Sequence, residues 1–292
     1  MASKSTGKYH IRSISLPCRS HPTTLKIEEE LNEIKTWETS SSSTTAETIC
    51  KGLCKLAELY KLMNDLLNLP QTIQALSSQH QNDKKSDEFL DGSLRLLDIC
   101  GISKEIVSQF KENVRDLQSS LRRRKGDPSI LETSIAKYTS FRKKMKKDAK
   151  RSIASLKQID HEIIIFLDVD DLHVSAVIRV LREVNSTSIA IFQSFLHFLS
   201  TQSSKPSKWS LVSRFVHKGT IIACEDENEL ESVDLALRGL CRNDQSENEK
   251  IQLVQNRLEN LEAGIEGFEN GLEGLFRCLI RSRTSLLNIF SC

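Results

Sequence analysis

Two aspartates one residue apart close an apolar run: Ile163, Ile164, Ile165, Phe166 and Leu167 lead into Asp168, Val169, Asp170 and Asp171. Asp-x-Asp phosphatases present a nucleophile and then an acid/base in this way, at the end of a strand and beside a magnesium ion that neutralises the phosphate. Two features argue against that chemistry here. Asp171 and Leu172 stand where such a site carries a small Gly-Thr pair. No alternation of strands and helices surrounds the run, so no parallel sheet would hold the carboxylates. The expected reading is an acid-capped helix start, because carboxylates favour the positive end of a helix dipole. A cryptic phosphatase on Asp168 and Asp170 is the minor alternative.

Other routes to catalysis are missing from the pattern. The seven histidines form no HExxH pair, and neither a phosphate-binding glycine loop nor a G-x-S-x-G elbow occurs. Eight cysteines are scattered without a CxxC pair; Cys50 and Cys54, four apart, share a helix face. Zinc would need a second such pair or nearby histidines, so reduced thiols used as small core residues are expected. The chain is read as not an enzyme, with no cofactor and no metal.

Charge is segregated. Net charge is +2, yet residues 122–151 hold twelve Lys/Arg against three Asp/Glu, and residues 225–273 hold fourteen Asp/Glu against four Lys/Arg. The basic segment contains a surface cluster of Arg142, Lys143, Lys144, Lys146, Lys147, Lys150 and Arg151. Pairing with the acidic C-terminal third is the favoured role, since opposite charges on neighbouring helices attract. An anionic membrane surface is the alternative. Nucleic acid is not favoured, because only Tyr138 and Phe141 lie nearby to stack on bases.

The first 22 residues read as a flexible, basic, Ser-rich arm with no acidic residue before Glu28. Arg12, Ser15 and Pro17 fit the Arg-Ser-x-pSer-x-Pro pattern of a 14-3-3-type adaptor, with a phosphate on Ser15 held by arginines and Pro17 turning the chain away. The same composition suits a plastid or mitochondrial transit peptide. No apolar run is long enough to span a membrane. Cytoplasmic localisation is expected, with plastid, nucleus and membrane surface as alternatives.

The elements that would position these groups are helices. Nine apolar residues keep an unbroken 3-4 spacing: Ile251, Val254, Leu258, Leu261, Ile265, Phe268, Leu272, Leu275 and Leu279. That is the heptad signature of one long helix. Gly264, Gly267, Gly271 and Gly274 run beside it at the same spacing and form a smooth strip on one flank. Such glycines make either a close-packing face for another helix or a weak, bendable rod.

Upstream, a first helix follows Pro22 with Leu25, Leu31 and Ile34 on one side. Thr44 and Glu47 are read as the capping box of a second helix, which stops before Pro70. A third region yields at Gly101 and resumes with Ser103 as N-cap. Gly126, Asp127 and Pro128 stop one helix and start another, which runs to about Gln158. Further helices are expected over about 172–200, around Trp209–His217, over about 228–242, and from a capping box of Ser246 and Glu249 onward. The fold class is all-α: an elongated antiparallel bundle in one domain, 23–292, with a subdivision point near 201–207.

Several phrases, in order, carry a resemblance. These are Ser13–Pro22 (SISLPCRSHP), Leu90–Asp98 (LDGSLRLLD), Leu121–Lys125 (LRRRK), Lys208–Ser213 (KWSLVS) and Ser285–Ile289 (SLLNI). The chain resembles a plant-specific family of the Arabidopsis type with a domain of unknown function, related to the BYPASS proteins. The resemblance implies a land-plant, non-enzymatic helical protein with relatives linked to root and shoot development, and an arm that is retained. It carries over no catalytic or binding residue. Together these readings point to an interaction or regulatory scaffold with protein partners, its homo-oligomeric state left open.

Overall fold

The computed structural model describes residues 21–40, 45–77, 83–123, 128–162, 172–201, 228–240 and 247–291, and those residues are helical apart from short caps and turns. In chain order the helices are α1 (Pro22–Ser40), α2 (Ala46–Leu67), α3 (Pro70–Ser77), α4 (Asp83–Arg123), α5 (Pro128–Glu162), α6 (Leu172–Ser200), α7 (Glu229–Leu240) and α8 (Glu247–Ser291). At about 1.5 Å per residue, α8 is a rod roughly 65 Å long. All nine residues of its apolar stripe are buried. They join a single hydrophobic core cluster to which every helix except α3 contributes several residues, and α3 contributes Leu76. Phe268 sits near the middle of the rod, with Phe195 and Phe198 of α6 each edge-on to it at 5.4 Å.

Two helices pack extensively on α8, the 22-residue α2 on one side and the 41-residue α4 on the other. α2 reaches it along the glycine strip. A Cβ on Gly264 would lie 2.7 Å from the Cβ of Ala46, and one on Gly271 would lie 3.0 Å from the Cβ of Leu53. A Cβ on Gly267 would overlap the sulfur of Cys50. Ala46, Cys50 and Leu53 repeat the 4-3 spacing, so each of these three glycines faces one α2 side chain along the seam. Gly274 is different: nothing lies within 4 Å of the position its Cβ would take. Because numbers rise together on both helices, α2 and α8 run parallel. That departs from the antiparallel arrangement read from short loops, and it is open to two helices far apart in the chain.

α4 approaches α8 through charge, antiparallel to it. Lys104 pairs with Glu273 (2.5 Å), Lys111 with Glu269 and Glu266, and Arg115 with Glu262 (2.9 Å), which also accepts from Gln118 (3.0 Å). The Lys104 ammonium lies 4.4 Å from the ring centre of Phe276. Here the expected partnership is corrected. The acidic face of α8 meets cations of α4, not the basic cluster of 122–151, because α4 is the helix that lies against it.

Several boundaries differ from the sequence reading. The cap of α2 is Thr45, whose hydroxyl accepts from the Thr48 amide (3.2 Å) while the Thr48 hydroxyl accepts from the Thr45 amide (3.0 Å). Glu47 pairs with Lys51 instead. A second, distant cap completes this helix start: the Glu229 carboxylate accepts from the Ala46 amide at 3.0 and 3.1 Å. α4 runs unbroken through Gly101 and Ser103, and Ser103 is fully buried in its interior with no partner for its hydroxyl among the described residues. Continuous packing on α8 overrides the local breaking tendency of Gly101, worth only about 1 kcal/mol. In α1 the buried row is Ile27, Leu31 and Ile34, while Leu25 faces solvent. The short helix α3, opened by Pro70 in its first turn, was not anticipated. The expected helix around Trp209–His217 and the cap at Ser246 lie outside the described residues.

Two outcomes follow from these seams. Gly267→Ala should lower stability by about 1–3 kcal/mol in chemical denaturation despite the better helix propensity of Ala. Cys50→Ala should restore it, since the Cβ of residue 50 would lie at an ordinary 3.5 Å. Gly274→Ala should instead stabilise by up to about 1 kcal/mol. The second outcome concerns pH. A hydrogen bond from Arg115 holds the Glu262 carboxyl below its usual value, and one from Lys104 does the same for Glu273. Groups lowered on folding add stability above the unfolded carboxylate value and lose it as pH falls through the folded one. The stability gap between wild type and Glu262→Gln should therefore be widest at neutral pH and close below the ordinary carboxylate range.

Candidate functional site: the basic face of α5

α5 separates its charges by periodicity. Tyr138, Arg142, Met145, Ala149, Ser152, Ile153 and Leu156 form the buried side, at 3-4 steps. Lys143, Lys144, Lys147, Lys150 and Arg151 lie on the exposed side. The sequence-stated cluster of seven therefore divides by position on the helix.

Arg142 is a structural residue. It is only 4% exposed. One terminal nitrogen donates to the Leu199 carbonyl (3.0 Å); the other donates to the Thr201 carbonyl (3.3 Å) and to Asp234 Oδ2 (3.1 Å). Nε adds a longer bond to Asp234 Oδ1 (3.4 Å). The fork thus caps the carbonyl end of α6, where a cation also suits the dipole, and ties it to α7. Asn228 closes the same corner. It accepts from the Glu231 amide as N-cap of α7 (2.9 Å) and donates to the Thr201 hydroxyl (2.8 Å). The Tyr138 ring fills the space beneath, fully buried, and burial raises its phenol pKa. Of the expected pairing between the basic segment and the acidic third, this one bond is what the described residues contain.

Lys146 is half-buried beside this corner, and its pKa is lowered by burial and then by the Arg142 charge. Arg151 pairs with Asp148 one turn away (3.2 Å). Lys144 donates to the side-chain Oε1 of Gln109 (3.2 Å) and makes no ion pair among the described residues. Lys143, Lys147 and Lys150 have neither ion pair nor hydrogen bond among the described residues. With Lys144 they form an outward set of four cations within two turns of α5, none of them in an ion pair among the described residues.

The remaining sequence-derived sites fall elsewhere. Gly264, Gly267 and Gly271 are consumed by the α2 seam. Arg12, Ser15 and Pro17, like Asp168 and Asp170, lie outside the described residues. Among the described residues no group of His, Cys, Asp or Glu could hold a metal ion, and no helix is long and apolar enough to cross a membrane. Cys50, Cys54, Cys100 and Cys278 are free thiols. Burial pushes Cys50 up to about 11 and Cys100 up to about 12, so both are protonated and inert at neutral pH. Asp234 and Asn228 were missed from sequence. The only signal was their place at the start of a helix, which says nothing of Arg142.

The clamp and the row should respond oppositely to mutation. Arg142→Ala should destabilise by about 3 kcal/mol, because it strands the largely buried Asp234 carboxylate and two carbonyls at the end of α6. Arg142→Lys should recover little, since an ammonium lacks the planar fork that reaches three acceptors. Single Lys→Glu changes at 143, 147 or 150 should stay within about 0.5 kcal/mol. Equilibrium denaturation of all five variants compares them.

A family model described as Protein BPS1 matches residues 52–289, from the first turns of α2 to the last turn of α8. Comparisons with curated proteins and with solved structures give no match.

Proposed function

The chain belongs to the Protein BPS1 family, a plant family related to the BYPASS proteins, and on that premise we propose that it is a non-enzymatic regulatory scaffold in root and shoot development. The observation that carries this reading is the outward row of Lys143, Lys144, Lys147 and Lys150. A rigid helix, held by the Arg142 clamp and the core, displays four cations without ion pairs among the described residues, within two turns. An acidic segment of a partner protein fits such a row, and matched charge would speed encounter and set register. The N-terminal arm supplies a second, regulated contact: phosphorylated Ser15, with Arg12 and Pro17, would engage a 14-3-3-type adaptor.

The same row supports a second reading, an anionic lipid surface. Magnitudes favour the protein partner. Each lysine near such a surface contributes about 1 kcal/mol, so four give about 4 kcal/mol, a dissociation constant on the order of millimolar. Lasting attachment takes an apolar anchor as well, and the exposed side of α5 carries only Ile130 as a large exposed apolar group among the described residues.

A fourfold Lys→Glu variant at 143, 144, 147 and 150 separates these readings, with Arg142 and Lys146 left in place to preserve the clamp. In affinity capture from plant tissue, acidic partners retained by wild type should be lost by this variant at unchanged melting temperature. Ser15→Ala should lose only an adaptor. Partners unchanged by the charge reversal would overturn the row as a docking face. Tight binding to phosphatidylserine vesicles, abolished by the reversal, would move the assignment to the membrane.

A further inference from the structure

Seven large apolar side chains are exposed among the described residues, and three of them, Leu94, Ile280 and Leu287, lie on facing stretches of α4 and α8. The half-buried Leu90, Leu97 and Phe276 fill in between them, each packed at one edge on the core. On α4 the positions 90, 94, 97 and 101 keep a 4-3-4 spacing, and on α8 the positions 276, 280, 283 and 287 keep the same one. Each row therefore follows one line along its helix. The rows meet across the seam. A Cβ on Gly101 would stand 3.9 Å from the Phe276 ring, and Arg283 donates to the Leu90 carbonyl (2.5 Å) and the Ser93 hydroxyl (3.0 Å). The result is an apolar strip two helices wide and about 17 Å long. Exposed apolar residues scattered singly mean little, whereas a contiguous strip marks a contact surface.

Charge around the strip says what covers it. The α4 flank carries Asp87, Asp91, Asp98 and Glu105, all exposed, and Arg95 answers only Asp91 (2.7 Å). The α8 flank carries the exposed Arg277 and Arg281, and no Asp or Glu follows Glu273 in the sequence. Asp98 and Arg281 have neither ion pair nor hydrogen bond among the described residues. A face that is acidic on one flank and basic on the other is complementary to itself, which is what a two-fold contact requires. The same charges choose the axis. An axis across the helices would lay α4 on α4, acid on acid. An axis along them lays α4 on α8 of the second copy and leaves every residue at its own level. Ion pairs in the α4–α8 seam put Lys104 level with Glu273 and Arg115 level with Glu262. Asp98 is then level with Leu279, between Arg277 and Arg281, and Leu94 falls between Ile280 and Leu287.

We propose that the α4–α8 strip is the contact face of a two-fold homodimer, in which α4 of each copy lies on α8 of the other and Asp98 meets Arg277 and Arg281. Leu94 of one copy inserts between Ile280 and Leu287 of the other, so the apolar rows are covered along the axis and the charges close both edges. With helices about 10 Å apart, the strip and its flanks offer on the order of 350 Å². A standard interface buries roughly 800 Å² per partner, so this dimer is weak and forms with concentration. The contact makes no use of the four lysines of α5, and either surface can fail without the other.

The test is sedimentation equilibrium of the full chain between about 1 and 100 µM at low salt. Wild type should pass from one chain towards two over that range. Asp98→Arg and Arg277→Glu should each weaken association at least tenfold, because each change places like charges together twice across the axis. Both positions are exposed, so the melting temperature of either variant should stay close to that of wild type. Mixed in equal amounts, the two variants should associate again to within about threefold of wild type, since the mixed pair has opposite charges at both contacts. Ile280→Glu should abolish association by placing a charge in the strip. Single variants that associate as wild type does, or a mixture that does not recover, would overturn the proposal. So would a wild type that remains one chain at about 100 µM, which would leave the strip to the N-terminal arm or to another protein.

Discussion

The burial of one long apolar stripe is the constraint on which the rest of this molecule depends. α8 carries nine core residues in strict 3-4 order, and a rod of that length can hide them only if several other helices lie against it. α2 and α4 meet this need by different physics. On the α2 side, missing Cβ atoms on α8 let α2 side chains approach its backbone, and dispersion acts at short range. On the α4 side, side chains of full length stand between the helices, and ion pairs set the register. The pairs are half-exposed and add little to stability. Their spacing, with 104 opposite 273 and 115 opposite 262, nevertheless admits one alignment.

The remaining helices are built onto this three-helix spine. α6 adds Phe195 and Phe198 against Phe268, and α1 packs Ile27, Leu31 and Ile34 into the same core. α5 and α7 are tied on by Arg142. A guanidinium at that depth is tolerated because two carbonyls and one carboxylate surround it, the carbonyls standing at the end of α6, where they need donors in any case. The result matters for function. The clamp orients α5, and with α5 fixed, its outer lysines become a rigid display rather than a mobile cloud of charge.

How much could be read beforehand varies from residue to residue. The stripe on α8 and the rows of α2 and α4 were legible, because periodicity records burial directly. The limits of α6 were legible for the same reason. Thr44 and Thr45 both precede plausible partners three residues on, and only the backbone geometry at Thr45 chooses between them. Gly101 reads as a break because a glycine weakens any helix alone, whereas contact with α8 holds this one together. The α3 turn, eight residues after a proline, is too short for a periodic signal. At the candidate site, a run of seven cations looked like one surface. Helical rotation separates Arg142 from Lys143 by about 100°, enough for one to be buried and the other exposed, but nothing local indicated that Arg142 would find Asp234.

The sequence by itself determined the all-α class, the long stripe, the glycine strip and the segregation of charge, since each is a pattern along one helix and depends on neighbours three or four residues away. Partner choice was decided only by the tertiary structure. The acidic row could have met either of two basic segments, and the glycines could have met any helix with small residues. Which one they meet is set by contacts between positions more than a hundred residues apart, where the packing of every other helix restricts the choice. The same holds for the apolar strip between α4 and α8. Its two rows belong to different helices, and no single stretch of chain records that they meet.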